Sequence, residues 1–170
     1  MKNKLLTYIT YQTFPAETAN SLQTVSLIKY FVKNDFEVSL YFPLREKSSS
    51  DNIDIISEYY SLDKEFRVFG LEHNLPFGKV KFFESAWFHI SHFLWSRKNV
   101  KNILKTIENE SVYFTRSDWV LYFLAKKNKC VIFECHQISK IRSFVLRRVA
   151  KNKNVKVIFL NQILEEYYKH

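Results

Sequence analysis

The chain has 170 residues with 26 Lys and Arg against 17 Asp and Glu, a formal net charge of +9 that favours an anionic partner: nucleic acid, an anionic membrane or a phosphorylated substrate. Hydrophobic residues make up 46% and aromatic residues 17%, which excludes general disorder and predicts one domain over residues 1–170. Only two glycines are present, which excludes the glycine-rich phosphate loops of classical dinucleotide and Walker-type sites.

The first predicted unit is a strand, a helix and a second strand. The apolar run at residues 5–11 predicts a buried strand that ends before Pro15. Thr18 or Asn20 can cap the helix, and with Asn20 as the cap Gln23 would complete a capping box. Alternation at residues 38–42 predicts the second strand. Apolar residues three or four apart predict a core-facing stripe on the helix: Leu22, Val25, Ile28 and Val32.

The loop before that helix, residues 14–21, has two interpretations. A helix that begins at the carboxyl end of a strand presents free backbone N–H groups and a positive dipole, which suit a phosphate or a sugar hydroxyl. Alternatively, the loop only caps a structural helix. The residues themselves leave both open.

The middle of the chain is dominated by an aromatic-rich segment, residues 82–95. A polar loop at 45–51, a short helix at Ile53–Tyr60 and a short strand at 67–71 precede it. The segment is too short to span a bilayer, which takes about 20 apolar residues. With lysines on both sides, it is either an ordinary buried helix or a helix lying in a membrane interface. His89 and His92 share a helix face, but no third metal ligand is evident.

The second half alternates strands and helices. Continuously apolar strands between helices indicate a parallel sheet covered on both faces, an α/β Rossmann-like fold. Helices are predicted at 98–109, at 117 or 118 to 125, at 141–150 and at 162–168, with strands at 111–116, 130–136 and 155–160.

The two cysteines, Cys130 and Cys135, fall on one predicted strand. Five residues apart, they point to opposite faces and cannot form a disulfide. We expect both to be small buried hydrophobic residues, in a chain without a signal peptide that is suited to the reducing cytoplasm.

Polar residues at the strand ends form the candidate site. Ligands in an open α/β sheet bind outside the carboxyl ends of the strands, where Arg116, Glu134 and His136 should meet the first loop. Arg116 can hold a phosphate or carboxylate, or it can form a salt bridge with Asp118 or Glu134. His136 either faces the cleft with Glu134 supporting it, or both belong to a structural network.

A basic segment without any acidic residue runs from 137 to 162. It can track a phosphodiester backbone, rest on anionic lipid, or simply form a solvated face. Its cations are Lys140, Arg142, Arg147, Arg148, Lys151, Lys153 and Lys156.

Four short motifs occur in the order found in a known family. The first loop at 14–21 is followed by YFTRS at 113–117, FECH at 133–136 and VIFLN at 157–161. Together they resemble family-4-type glycosyltransferases with the GT-B fold, whose Glu-x-His element matches Glu134 and His136. The paired glycines that many members carry in the first loop do not occur here.

The resemblance implies roles for these residues. His136 would be the catalytic residue near the donor sugar and its diphosphate, and Glu134 would orient the local backbone. Arg116 would contact a phosphate. The acceptor would lie against Glu17, Thr18 and Asn20. These enzymes retain anomeric configuration and need no metal or other cofactor, since the nucleotide sugar is a substrate.

The resemblance also implies that residues 1–170 are the N-terminal, acceptor-side domain. A C-terminal donor-binding domain, which the 170 residues do not include, would be needed for turnover. The expected setting is the cytoplasm or the inner face of the membrane, with a cell-surface glycan or lipid-linked acceptor. The rival hypothesis is a non-catalytic Rossmann-like module that binds nucleic acid or an anionic membrane.

Overall fold

A computed structural model describes residues 4–62, 66–107 and 111–169. The strands are β1 (Lys4–Ile9), β2 (Phe36–Leu44), β3 (Arg67–Glu72), β4 (Val112–Thr115), β5 (Val131–Cys135) and β6 (Val155–Phe159). The helices are α1 (Ala19–Lys33), α2 (Ile53–Tyr60), α3 (Glu84–Thr106), α4 (Asp118–Ala125), α5 (Lys140–Val149) and α6 (Gln162–Lys169).

The six strands form one all-parallel sheet, in the order β3-β2-β1-β4-β5-β6. The predicted α/β Rossmann-like fold is confirmed. The order reverses between β1 and β4, so the helices that follow these two strands leave on opposite sides and open a crevice at the carboxyl edge.

Each face of the sheet supports its own hydrophobic core. Leu6 and Tyr8 point to a core shared with α1 and α2, whereas Ile9 points to a core shared with α3, α4 and α5. Alternate residues of β5 divide in the same way: Phe133 joins the core shared with α3, α4 and α5, and Ile132 packs against the core shared with α1 and α2. This double burial explains why the strands are apolar along their whole length.

The segment at 82–95 and the helix predicted at 98–109 are one helix, α3. The predicted end at Asn109 lies outside the described residues. Phe88, His92 and Trp95 face the body of the protein, whereas Phe82, Ile90 and Leu94 are exposed. Of the two alternatives for this segment, the buried helix describes only the first side. Because both sides of the helix are apolar, its periodicity does not say which side packs.

The structure decides between the two predicted caps of α1 and corrects two predictions about burial. Thr18 caps α1 by accepting a hydrogen bond from the Ser21 N–H at 3.2 Å, so Asn20 is not the cap. Leu22 is half exposed instead of joining the core stripe. Cys130 is exposed because it precedes β5, and only Cys135 is buried.

Candidate functional site

A crevice of about 370 Å³ opens at the carboxyl edge of the sheet, beside the point where the strand order reverses. Its walls come from the loop after β1, the start of α1, the first half of α3 and the residues that follow β4 and β5. The chain thus brings Thr18, Asn20, Arg116 and His136 to one opening, as predicted from the strand ends.

Hydrogen bonds between loop residues fix the floor of this crevice. The Thr115 hydroxyl donates to the Ile9 carbonyl at 2.7 Å and accepts from the Ser117 N–H at 3.0 Å. The Ser117 hydroxyl in turn accepts from the Tyr11 N–H at 3.1 Å. Because these buried groups satisfy one another, the ends of β1 and β4 are locked together.

Arg116 is 5% exposed and is held from the α1 side. Its Nη2 donates to Gln23 Oε1 at 2.9 Å, and the Gln23 amide donates to Glu134 Oε1 at 3.3 Å. Its Nε lies 3.0 Å from Glu134 Oε1, an ion pair whose N–H direction falls outside hydrogen-bond geometry. Nη1 is buried and has no hydrogen-bond partner among the described residues, and Arg116 is one of the residues that line the crevice.

Glu134 does not line the crevice itself. It is 7% exposed and lies behind Arg116, where its carboxylate balances the buried guanidinium. Of the two alternatives left open for Arg116, the salt bridge to Glu134 is present, and the residue still reaches the opening.

Arg142 differs from its expected place on a basic surface. It is 2% exposed and grips Asp118 through Nε at 2.7 Å and Nη2 at 3.4 Å. Its Nη1 donates to the Gln137 carbonyl at 3.0 Å, and its guanidinium lies 5.3 Å from the centre of the Phe133 ring. A residue predicted for a solvated face is therefore a buried link between α5, α4 and the end of β5.

His136 is half buried and lies near both arginines. Burial, followed by the charges of Arg142 and Arg116, lowers the pKa of His136 to about 4, although the Glu134 carbonyl favours its protonated form. Its Nδ1 has no hydrogen-bond partner of standard geometry among the described residues. The imidazole is therefore neutral near neutral pH, and the residue lines the crevice.

Glu17, Thr18 and Asn20 are all exposed at the start of α1. Thr18 and Asn20 line the crevice, but Glu17 does not. It lies beside Tyr59, whose pKa is raised by desolvation and then by the charge of Glu17. The helices α1, α4 and α5 all begin at this edge of the sheet, and neither α1 nor α5 has an acidic residue in its first turn. Their N-terminal dipoles thus add positive potential beside the crevice.

Sequence reasoning missed an aromatic and histidine cluster in the wall formed by α3. The Tyr11 hydroxyl lies 2.7 Å from His73 Nε2, and the Tyr11 ring stacks on His92 with centroids 4.4 Å apart. The Arg45 guanidinium lies 5.4 Å from the centre of the Tyr11 ring. Burial is the main reason that the pKa falls to about 4 for His73 and about 3 for His92. Only the helix spacing of His92 hinted at this cluster.

These histidines do not form a metal centre with the other residues described. In residues 4–62, 66–107 and 111–169, no group of three or more His, Cys, Asp or Glu side chains is arranged to hold a metal ion. Over the same ranges, no helix has the length and apolar character needed to cross a membrane.

No protein-family model matches this chain, and no curated protein matches it significantly in sequence. The function must therefore be argued from the chemistry of the crevice and from the four motifs. Two of those motifs supply Arg116 and His136, which the fold brings to one opening although they are 20 residues apart in sequence.

Proposed function

We propose that the chain is the N-terminal, acceptor-side domain of a retaining GT-B glycosyltransferase that transfers a sugar from a nucleotide sugar to a cell-surface glycan or lipid-linked acceptor. The observation that carries the proposal is the meeting of Arg116, His136 and the start of α1 at one crevice. All three come from motifs that resemble the family. They also supply the two things this reaction needs, positive potential for a diphosphate and neutral hydrogen-bonding groups for a sugar.

The diphosphate of the donor would be the anion in this crevice. Arg116 offers an unpartnered Nη1, and the starts of α1 and α5 offer backbone N–H groups with no acidic side chain competing for them. Electrostatic stabilisation by preorganised donors is the largest contribution in many enzymes that release an anionic leaving group. In this proposal Arg116 is a binding residue, and Glu134 positions it.

His136 would act beside the departing diphosphate. In the unliganded protein its pKa near 4 leaves it neutral, because burial and two guanidiniums oppose a further positive charge. A bound diphosphate would oppose the arginine charges and raise that pKa. His136 would then donate a hydrogen bond more strongly when negative charge develops on the leaving group.

Donor binding is assigned to a second α/β domain or subunit. The crevice is open to solvent, and a separate set of large apolar side chains is exposed around β6 and α6, which suits a contact with such a domain. The exposed fractions are 50% for Ile158, 51% for Leu160, 72% for Ile163 and 52% for Tyr167. The purified 170 residues alone are expected to show no sugar transfer.

The test begins with the natural coding sequence beyond residue 170. A continuation into an α/β domain with a basic residue and a pair of glutamates is expected. The complete protein is then incubated with UDP-, GDP- and ADP-sugars and membrane extract, and nucleoside diphosphate release is measured. His136→Ala should lower kcat by about 100-fold or more, the usual contribution of a catalytic acid-base or electrostatic group.

Lys126→Ala is the matched control, because Lys126 is exposed and follows the last residue of α4, whereas the first residues of α4 line the crevice. It should turn over like the wild type. Normal kcat in His136→Ala would remove His136 from the site, and rapid transfer by the isolated 170 residues would refute the assignment of this chain as half of an enzyme.

One observation favours the rival hypothesis of a nucleic-acid-binding module. Without Arg142, the acid-free segment still presents six exposed cations around α5 and the turn that follows it: Lys140, Arg147, Arg148, Lys151, Lys153 and Lys156. Electrophoretic mobility shift with DNA and RNA at several salt concentrations tests it. Strongly salt-dependent binding without any response to nucleotide sugars would favour the rival.

A further inference from the structure

One side of α3 is apolar, exposed and separate from the crevice. Phe83 is the residue immediately before α3, and because residues on a helix advance by about 100° each, Ile90 and Leu94 fall on one side of that helix. Their exposed fractions are 71%, 46% and 41%. The opposite side carries Ser91, His92 and Trp95, which are buried against the body of the protein. The helix is already anchored there, so its apolar outer side has no role in the core.

The turn that leads into α3 extends this apolar surface. Phe82 is 73% exposed and Val80 is 41% exposed. The Phe82 and Phe83 rings contact each other with centroids 4.4 Å apart. Two adjacent phenylalanines therefore project from the start of the helix into solvent, where exposed apolar groups of this size usually mark an interaction surface.

The charges around this surface are nearly all positive. Lys79 and Lys81 precede the phenylalanine pair in the sequence. Arg97, Lys98 and Lys101 follow Ile90 and Leu94 along the same side of the helix. All five are exposed, and Glu84 is the one acidic residue in the sequence of α3. An apolar surface with cations at both ends matches the boundary between acyl chains and anionic headgroups.

We propose that this surface, defined as residues 79–83 together with Ile90, Leu94, Arg97, Lys98 and Lys101, docks the protein on an anionic lipid membrane. Phe82 and Phe83 enter the boundary between headgroups and acyl chains, and the cations contact the headgroup phosphates. Uniform positive charge argues against a second copy of the chain, which would place like charges against each other, and the exposed phenylalanine pair beside these cations suits a lipid boundary.

The docked orientation has a consequence for the crevice. Phe88, His89 and His92 of the same helix line its wall, so α3 lies between the membrane and the opening. Resting on the proposed function, docking through α3 would hold the crevice close to the membrane surface, which favours an acceptor held in the membrane, a lipid-linked glycan or phosphate. The docking itself does not depend on the transferase assignment.

Flotation of the purified chain with vesicles tests the docking. The probes are vesicles of phosphatidylcholine alone and vesicles of equal parts phosphatidylcholine and phosphatidylglycerol. Binding is expected only to the second. The double variant Phe82→Ser, Phe83→Asn should lower partitioning by about tenfold or more, because the inserted aromatic groups are lost. Asparagine is chosen at 83 because this residue has φ 55°, a conformation that asparagine tolerates.

Two matched controls locate the surface. Ile163→Ser removes a side chain of similar exposure on α6, and Lys151→Glu with Lys153→Glu reverses charges beyond α5. Neither should change partitioning, whereas Lys98→Glu with Lys101→Glu should weaken it about as much as the phenylalanine variant. Circular dichroism checks that every variant is folded.

The proposal is overturned if the folded wild-type chain ignores anionic vesicles, if the Lys151 and Lys153 variant loses binding while the phenylalanine variant keeps it, or if light scattering shows a dimer that the phenylalanine variant dissociates. Membrane binding without sugar transfer by the complete protein would support the docking and contradict the transferase. Sugar transfer without membrane binding would support the transferase and contradict the docking.

Discussion

The two buried arginines at the carboxyl edge, Arg116 and Arg142, differ in how completely they are satisfied. Arg142, on the side of α4 and α5, donates from all three guanidinium nitrogens to Asp118 and to backbone carbonyls. Arg116, on the α1 side, donates to Gln23, faces Glu134 and leaves Nη1 without a partner among the described residues. Both arginines line the crevice, but every guanidinium nitrogen of Arg142 is hydrogen-bonded, whereas, within the part of the chain that the structure describes, Arg116 keeps a buried nitrogen that is not.

This difference separates a structural charge from a binding charge. A buried guanidinium with every donor occupied contributes nothing further to a ligand, whereas an incompletely paired one is expensive to keep unless a ligand uses it. The sequence shows two arginines of similar kind, and only their partners distinguish them. The following predictions test the distinction.

The largest expected effect is on stability, in Arg142→Met. The substitution fits the volume of the side chain but leaves Asp118 without its counter-ion, so the free energy of unfolding should fall by about 3–5 kcal/mol. Urea unfolding followed by circular dichroism measures it. Arg147→Met, on the exposed side of the same helix, is the control and should cost no more than about 0.5 kcal/mol.

A double variant sharpens this result. Arg142→Met with Asp118→Asn removes the unpaired charge as well, and should recover part of the lost stability. A single variant as stable as the wild type would show that the Arg142 and Asp118 pair does not hold α4 and α5 together.

Acid should destabilise the protein through the histidines around the crevice. Their folded pKa values, about 4 for His73 and His136 and about 3 for His92, lie below the value of about 6.5 expected in the unfolded chain. The unfolded state therefore binds protons first, so stability is complete above about pH 6.5 and is lost as the pH falls towards 4. Because each pKa unit of difference is worth about 1.4 kcal/mol for each histidine, we expect the free energy of unfolding to fall by several kcal/mol between about pH 7 and pH 4.

His92→Phe keeps the stack on Tyr11 while removing one of these titrating groups. Its stability should depend less on pH over the same range, measured by thermal unfolding in a series of buffers. A pH dependence equal to that of the wild type would show that His92 is not held neutral by burial.

Arg116→Gln should affect folding as well as binding, because it leaves the buried Glu134 without its counter-ion. It also removes the guanidinium that lines the crevice, so affinity for pyrophosphate should fall by about tenfold, the value of one charge-assisted hydrogen bond. Isothermal titration calorimetry of the folded chain measures it, with Lys126→Ala as the control. Unchanged affinity would place Arg116 with Arg142 as a purely structural residue.

The smallest expected effect concerns the start of α1 on the Arg116 side. Thr18→Ala removes the oxygen that accepts from the Ser21 N–H and contacts the Ser21 hydroxyl at 2.8 Å. The loss of this cap should lower the free energy of unfolding by about 1 kcal/mol. Thr18→Ser retains the hydroxyl and should behave like the wild type; equal losses in both would show that the cap does not stabilise α1.

Much of the fold was predictable because local patterns have one interpretation. The continuous apolar run that became β5 can only be buried on both sides, and α2 and α4 end at the predicted residues. The placing of Arg116 and His136 at one crevice followed from the rule that ligand sites lie at the carboxyl ends of parallel strands. The cluster around Tyr11 did not follow, because His73 and His92 reach it from distant segments.

The amino-acid sequence by itself determined the strands, the helices and the parallel sheet, since hydrophobic periodicity and burial depend on near neighbours in the chain. Tertiary structure alone decided which side of α3 packs, because apolar residues occupy both sides. It also decided which arginine has all its nitrogens hydrogen-bonded, because Asp118 and Glu134 approach the arginines only after folding. The packing of α3 and the pairing of the two arginines both depend on contacts between residues far apart in sequence. These contacts place the crevice on one side of α3 and leave the other side exposed.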